Sequence, residues 1–302
     1  MKTDFVEVRC PVCDSEKYRV VYESTLGSSL PDLGYKFAPS HLKTYRIVRC
    51  LHCGHRYCSP LPRQLFKGYI DVEDSEYLRN EPQRLATAEK VMGVLRKYKK
   101  GGRLLDVGCA TGDFLRVAAR YYDVEGLELS TWAARLAKER GLWIHESRLA
   151  ELGATERYDV VTLWGVIEHF ESPRKEIGQV ARLMKRGGIL CIWTGDIESL
   201  TARLLGKKWW YFMGQHIQYF SRATLHRLLE ECGFTKVAIR NYPYVLSMSS
   251  VANSIGRYPL ASRLFAGLFK SPGLSSAKIT FALPGEMFAI YSKGALSPRR
   301  DE

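Results

Sequence analysis

Between residues 101 and 240, short apolar runs take turns with apolar stripes of helical spacing. The runs are what strands buried on both faces need, and the stripes predict helices packed against them. Leu104, Leu105 and Val107 make the first run, around Asp106, and the loop Gly108-Cys109-Ala110-Thr111-Gly112 follows. From Asp113, a good helix-start residue, Phe114, Leu115, Val117 and Ala118 take helical spacing. Val124–Ser130 reads as the second strand, Trp132–Gly141 as a helix, Leu142–His145 as the third strand and Tyr158–Trp164 as the fourth. A helix ends over Ala181–Lys185, and the turn Lys185–Gly188 leads into a fifth strand reaching Trp193. Ser221 caps a helix that shows Leu225, Leu228 and Leu229 on one face and stops at Gly233. Thr235–Tyr242 and Glu286–Ser292 read as the last two strands. This alternation predicts an α/β, Rossmann-like sheet. Ahead of it, Pro82 and the stripe Leu85, Ala88, Val91, Met92 and Leu95 predict a lead-in helix ending in Lys97–Lys100 and Gly101-Gly102.

Composition adds three constraints. The 302 residues are 46% hydrophobic and 25% charged, as in a globular protein with one large core and a small module. The N-terminus lacks an apolar h-region and no run reaches about 18 apolar residues, so a cytoplasmic protein without a membrane span is expected. The net charge of +13 points to an acidic partner such as phosphate, nucleic acid or anionic lipid, without choosing among them.

Eight cysteines in such a chain suggest reduced thiols or metal ligands. Cys10-Pro-Val-Cys13 and Cys50-Leu-His-Cys53 are two C-x2-C knuckles, 36 residues apart, on strand-like flanks Lys17–Tyr22 and Thr44–Val48. Each knuckle aims two thiolates at one point, and two knuckles close a tetrahedral structural Zn2+ site. His52, His55 and Cys58 crowd the second knuckle as alternative ligands, but four thiolates leave no open position for catalysis. Residues 1–62 thus read as a zinc-ribbon module with a flexible excursion at Ser24–Gly34, and removing zinc is expected to unfold residues 1–60 alone. Residues 63–100 are linker and lead-in helix, in which Tyr69, Tyr77 and Arg84 are lid candidates.

The glycine loop carries the main chemistry. A strand, a glycine turn and a helix N-terminus let backbone approach a ligand and offer it N–H groups. Ala110 breaks the dinucleotide fingerprint, and no Gly-Lys-Ser/Thr follows to make a P-loop. Glu128 ends the second strand about 20 residues later, where a carboxylate accepts hydrogen bonds from ribose hydroxyls. A tight turn with no ligand and a helix-start carboxylate are the plain alternatives. Asp106, Gly108, Ala110 and Gly112 resemble motif I of class I S-adenosyl-L-methionine (SAM) methyltransferases. Gly165-Val166-Ile167-Glu168-His169-Phe170 resembles the DVLEH segment of methyltransferases of the ubiquinone O-methyltransferase type, with Gly165 where the family has an acidic residue. Lys185-Arg186-Gly187-Gly188 is similar to the family's kPGG turn, and His216–Phe234 resembles a sub-family that often carries a zinc ribbon and methylates glycan or natural-product precursors.

The resemblance implies a seven-stranded class I sheet with an antiparallel last strand over residues 101–296, and SAM as cofactor. It implies cofactor contacts at Asp106, Gly108, Cys109, Ala110, Gly112, Glu128, Leu129, Leu149 and Trp164. His169 and His216 are candidate bases or substrate contacts, with Glu168 beside them; a purely structural histidine is the alternative. Asp196 is expected on the substrate side, and Trp209–Phe212 as an acceptor stack or as core. The expected function is methyl transfer to a small-molecule or glycan-type acceptor, with O-methylation favoured. An rRNA-type methyltransferase comes second, so nucleic acid ranks behind small molecules as a partner, and a non-catalytic partner-binding protein on the same fold comes third. Within the excursion 243–284, the basic amphipathic stretch 257–270 suits the surface of an anionic membrane or a pocket cover, and residues 297–302 are a tail.

Overall fold

The computed structural model describes residues 5–26, 42–63, 65–153, 155–247, 278–282 and 285–294. Most of the excursion, the stretch 257–270, the tail and much of the loop between the knuckles lie outside the described residues.

The N-terminal part consists of five short strands: β1 (Phe5–Val6), β2 (Tyr18–Tyr22), β3 (Ile47–Cys50), β4 (Arg56–Cys58) and β5 (Leu61–Pro62). β2, β3 and β4 form an antiparallel meander, and β1 pairs with β5. The helices α1 (Ser75–Arg79) and α2 (Glu81–Leu95) follow; α2 carries Pro in its first turn and buries Ala88, Val91, Met92 and Leu95 of the stripe read from the sequence, with Leu85 half-buried.

The central sheet is then laid down in βα steps: β6 (Arg103–Val107), α3 (Asp113–Ala118), β7 (Asp123–Leu127), α4 (Thr131–Glu139), β8 (Ile144–His145), β9 (Tyr158–Trp164), α5 (Pro173–Leu183) and β10 (Met184–Gly195). Next come α6 (Leu200–Leu205), β11 (Gln218–Tyr219), α7 (Arg222–Glu231), β12 (Phe234–Arg240), β13 (Pro243–Ser247), β14 (Lys278–Ala282) and β15 (Glu286–Lys293). Seven strands form the sheet in the order β12-β15-β10-β9-β6-β7-β8. The pairs among β6 to β10 are parallel, and β15 runs antiparallel between β10 and β12. This is a Rossmann-like α/β sheet of the class I methyltransferase type.

Several boundaries move for local reasons. β7 stops at Leu127, because the Glu128 side chain turns back to accept the Ser130 N–H while Ser130 caps α4. The third strand shrinks to Ile144–His145, at the sheet edge. The Gly187-Gly188 turn sits inside β10 as an irregularity against β9. β13 and β14, within the excursion, pair with each other antiparallel.

The N-terminal module is not an independent bead. β11, from the segment just after His216, pairs antiparallel with β4, so the ribbon meander gains its fourth strand from the C-terminal half of the chain. The Cys58 N–H extends the join by donating to the Ile217 carbonyl at 2.9 Å. Tyr45, Ile47, Cys58 and Leu61 share one buried cluster with Ile197, Trp209, Tyr211, Phe212, Ile217 and Tyr219. Trp209, Tyr211 and Phe212 are therefore core, and Trp210 is half-buried against them. Among the described residues no helix is long and apolar enough to cross a membrane.

Candidate active site and metal centre

The loop after β6 turns through three residues of positive φ, Gly108 (68°), Ala110 (47°) and Gly112 (79°). Gly108 is required as glycine, since a Cβ there would come 2.7 Å from Val166 Cγ2. Glu128 ties this loop to the next helix: Oε2 accepts the Ala110 N–H at 2.8 Å and Oε1 the Ser130 N–H at 2.8 Å. Asp106 is buried, accepts from Thr162 Oγ1 at 2.6 Å, and is pushed up to about 8, chiefly by burial. Asp113, at the start of α3, is held by Arg84 (2.7 Å) and Arg140 (2.9 Å), and the Arg84 guanidinium lies 3.5 Å from the Tyr77 ring centroid. Cys109 and Leu149 are buried, Leu129 and Trp164 half-buried.

Three polar side-chain atoms in this region lack a hydrogen-bond partner among the described residues: the Thr111 hydroxyl in the loop, Trp164 Nε1 at the end of β9 and Arg84 Nη2. A loop bent by left-handed residues, with an orphaned buried hydroxyl and a backbone-anchored carboxylate, fits a nucleoside ligand such as SAM.

The short turn Ile167–His169 beyond β9 brings Glu168 and His169 against His216, with their candidate ligating atoms within 4.8 Å of one another. His169 Nδ1 is 2.8 Å from the Gln215 carbonyl and 2.9 Å from the Tyr69 hydroxyl. His216 Nδ1 is 2.8 Å from the Tyr211 carbonyl. A carbonyl only accepts, so each ring carries its proton on Nδ1 and, when neutral, presents a bare Nε2. Burial drives the His216 imidazole well below its usual range and keeps it neutral. Glu168 accepts from Thr194 Oγ1 at 3.0 Å and from the Tyr211 hydroxyl, and burial raises its carboxyl. The ring centroids of His169 and His216 are 4.9 Å apart. Gly165 has φ +69°, and a Cβ there would meet the Trp193 ring at 2.8 Å. Trp193 thus fills the space a side chain at the departing position of the DVLEH-like segment would need.

Sequence reasoning missed Glu286. It opens β15 beside the end of β10, is 2% exposed, and is pushed up to about 8 mainly by burial. Trp193 Nε1 donates to it at 2.7 Å and Trp210 Nε1 at 3.5 Å. A carboxyl at the first position of a strand gives no periodic signal; its partners come from two other segments.

The four knuckle cysteines form a second cluster. Cys10 and Cys53 Sγ lie 3.5 Å apart, as do Cys13 and Cys50 Sγ, and all four sulfurs fall within 4.8 Å of one another. About 3.8 Å is the edge of a tetrahedron with zinc–sulfur bonds of about 2.3 Å, so the thiolates fit a closed zinc site. His55 turns away to Gln218 (3.0 Å) and Cys58 toward the His216 carbonyl (3.7 Å), while His52 Nε2 lies 3.5 Å from Arg227.

Residues 76–239, more than half of the chain, match the family model described as "Methyltransferase domain". An uncharacterized protein of Methanocaldococcus jannaschii is 27% identical over 176 residues, covering 57% of this chain and 82% of the relative. The ubiquinone biosynthesis O-methyltransferase of Nitrosomonas europaea is 36% identical over 116 residues, 35% of this chain; the match spans about half of that enzyme, 48%. Among solved structures, an SAM-dependent methyltransferase from Archaeoglobus fulgidus superimposes with a TM-score of 0.51 at 18% identity, covering 73% of this chain and all of the other, a likeness of fold. The chain belongs to the methyltransferase-domain family and is an SAM-dependent enzyme with the class I fold.

Proposed function

We propose that this protein methylates a hydroxyl of a small, glycan-type acceptor. The observation that carries this reading is the convergence of Glu168, His169 and His216 next to the glycine loop, with Val166 packed on Gly108. SAM supplies a methyl group on a sulfonium, open to in-line displacement. Glu128 and the loop 108–112 would hold its nucleoside part, with Asp106, Leu129, Leu149 and Trp164 around it. His169, half-buried and with Nδ1 held by the Gln215 carbonyl and the Tyr69 hydroxyl, offers Nε2 to the acceptor proton, with His216 and Glu168 beside it. The ubiquinone biosynthesis relative is an O-methyltransferase by name, which supports transfer to oxygen of a small molecule, and most of the rate enhancement would come from positioning.

Residues 1–62, with structural Zn2+ at Cys10, Cys13, Cys50 and Cys53, would brace the acceptor side, residues 101–296 carry the reaction, and the basic stretch 257–270 would touch an anionic membrane. Calorimetric titration with S-adenosylhomocysteine tests the cofactor assignment. Micromolar binding that Glu128→Ala weakens by about 1–3 kcal/mol, the loss of charge-assisted hydrogen bonds, is expected. Binding equally tight in the variant removes Glu128 from the site.

A further inference from the structure

Between the short turn Leu65–Tyr69 and α1, residues 69–74 run as a strap past both the start of α4 and His169. Buried Val72 and Asp74 alternate with exposed Asp71 and Glu73, the period of an extended chain with one inward face.

The middle of the strap rests on the first turn of α4. The Ile70 carbonyl accepts the Thr131 N–H at 3.1 Å and the Thr131 hydroxyl at 3.3 Å, and the Val72 carbonyl accepts the Ser130 hydroxyl at 2.7 Å. Ser130 is also the residue whose N–H Glu128 Oε1 accepts at 2.8 Å, while Oε2 of the same carboxylate holds Ala110 of the glycine loop. The start of the strap rests on His169. The Tyr69 hydroxyl is 2.9 Å from His169 Nδ1, and the two rings meet edge to face with centroids 5.7 Å apart. The His169 N–H that donates to the Gln215 carbonyl at 2.8 Å is therefore shared with the Tyr69 oxygen. Two acceptors on two separate segments fix the ring, and with it the direction in which Nε2 points.

Hydrogen bonds and one short backbone stretch thus run unbroken from the glycine loop through Glu128, the start of α4 and the strap to His169. Each Glu128 oxygen keeps a second lone pair, so nucleoside hydroxyls can add to the carboxylate without displacing either N–H. Such binding stiffens the anchor on which Ile70 and Val72 hang, and a stiffened anchor narrows the positions open to Tyr69. We propose that Tyr69 is a positioning residue for His169, and that residues 69–72 couple its hold on the imidazole to occupancy of the cofactor site. The base is then correctly aimed only once the cofactor is in place. The inference rests on the SAM and His169 assignments of the proposed function and adds an order of events to them.

The test reads the imidazole nitrogen shifts of His169 by NMR, with and without saturating S-adenosylhomocysteine. Wild type, Tyr69→Phe and Ser130→Ala are compared, and His169→Gln identifies the signal. In the wild type the His169 signals should move on binding, while those of His226 on α7 stay in place. In Tyr69→Phe, which removes a single oxygen, that movement should be lost, with S-adenosylhomocysteine affinity changed about fivefold at most. Ser130→Ala keeps the N–H that Glu128 accepts and removes the hydroxyl that holds Val72. It should show the same loss, and it keeps the test valid if the tyrosine variant misfolds. An undiminished movement in either folded variant overturns the coupling, because the cofactor then reaches His169 by another route. A wild-type protein that binds S-adenosylhomocysteine with no movement at His169 overturns it as well. Absence of S-adenosylhomocysteine binding fails the cofactor assignment instead, a separate outcome.

Discussion

Gln218 is the residue on which the ribbon and the candidate site both hang, and Gln218→Ala measures that linkage. Its Nε2 donates to the Phe170 carbonyl at 3.0 Å, one residue beyond His169. Its Oε1 therefore accepts, at 3.0 Å, from Nε2 of His55, a residue with no exposed surface. Truncation removes two hydrogen bonds and strands the buried His55 N–H and the part-buried Phe170 carbonyl, beside a Gln218 that is itself 1% exposed. Leaving one such group unpaired costs about 1–3 kcal/mol, so the pair should cost roughly 2–4 kcal/mol after partial relaxation. Urea denaturation followed by tryptophan emission reads this directly, since Trp209 is fully buried in the shared cluster. Gln218→Glu should be at least as harmful, because a carboxylate oxygen replaces the donor facing the Phe170 carbonyl. Turnover should fall in both variants while S-adenosylhomocysteine affinity stays close to wild type, as the glycine loop is not touched. A loss below about 0.5 kcal/mol for the alanine variant would mean that water reaches both partners and that the interface is not the dry join described above.

Removal of zinc by a strong chelator should do more than unfold residues 1–60: because Ile47, Cys58 and Tyr45 pack on Trp209 and Tyr219, tryptophan emission should shift to the red, and an unshifted spectrum would show that the catalytic part stands alone. Gly165→Ala should destabilise the protein by several kcal/mol in thermal or urea melts, since its Cβ would meet the Trp193 ring at 2.8 Å in a left-handed conformation; a neutral outcome would refute that packing. Glu286, whose folded value of about 8 lies above its ordinary 4.5, binds a proton in the native state that the unfolded chain has released between those limits. Its contribution to stability is therefore complete below about pH 4.5 and lost as pH rises through 8, and Glu286→Gln should flatten that part of the stability profile; an unchanged slope would refute the burial argument.

Much of this architecture is legible in the sequence because the signals are local. The glycine loop, the apolar runs at Leu104–Val107 and Tyr158–Trp164, and the Ser221 cap declare themselves within a few residues, and the structure places each where the pattern puts it. The knuckle spacing likewise brings four sulfurs together. What stayed hidden depends on distant partners. β11 is two residues long, too short for a period of two to register, and its role exists only because β4 lies beside it. Tyr69 could be read as a lid but not as the partner of His169, 100 residues away. Glu286 has meaning only once Trp193 and Trp210 surround it.

The shared strand also orders events during synthesis. His55 and Gln218 are 163 residues apart, so at about 5–20 residues per second the first knuckles leave the ribosome roughly 10–30 s before their fourth strand exists. Throughout that interval the backbone edge of β4 is open to other chains, and a zinc ion on the four thiolates would add to the backbone pairing that holds the nascent meander in register. Metal supply during translation, rather than after it, should therefore set how much of this enzyme reaches its native state.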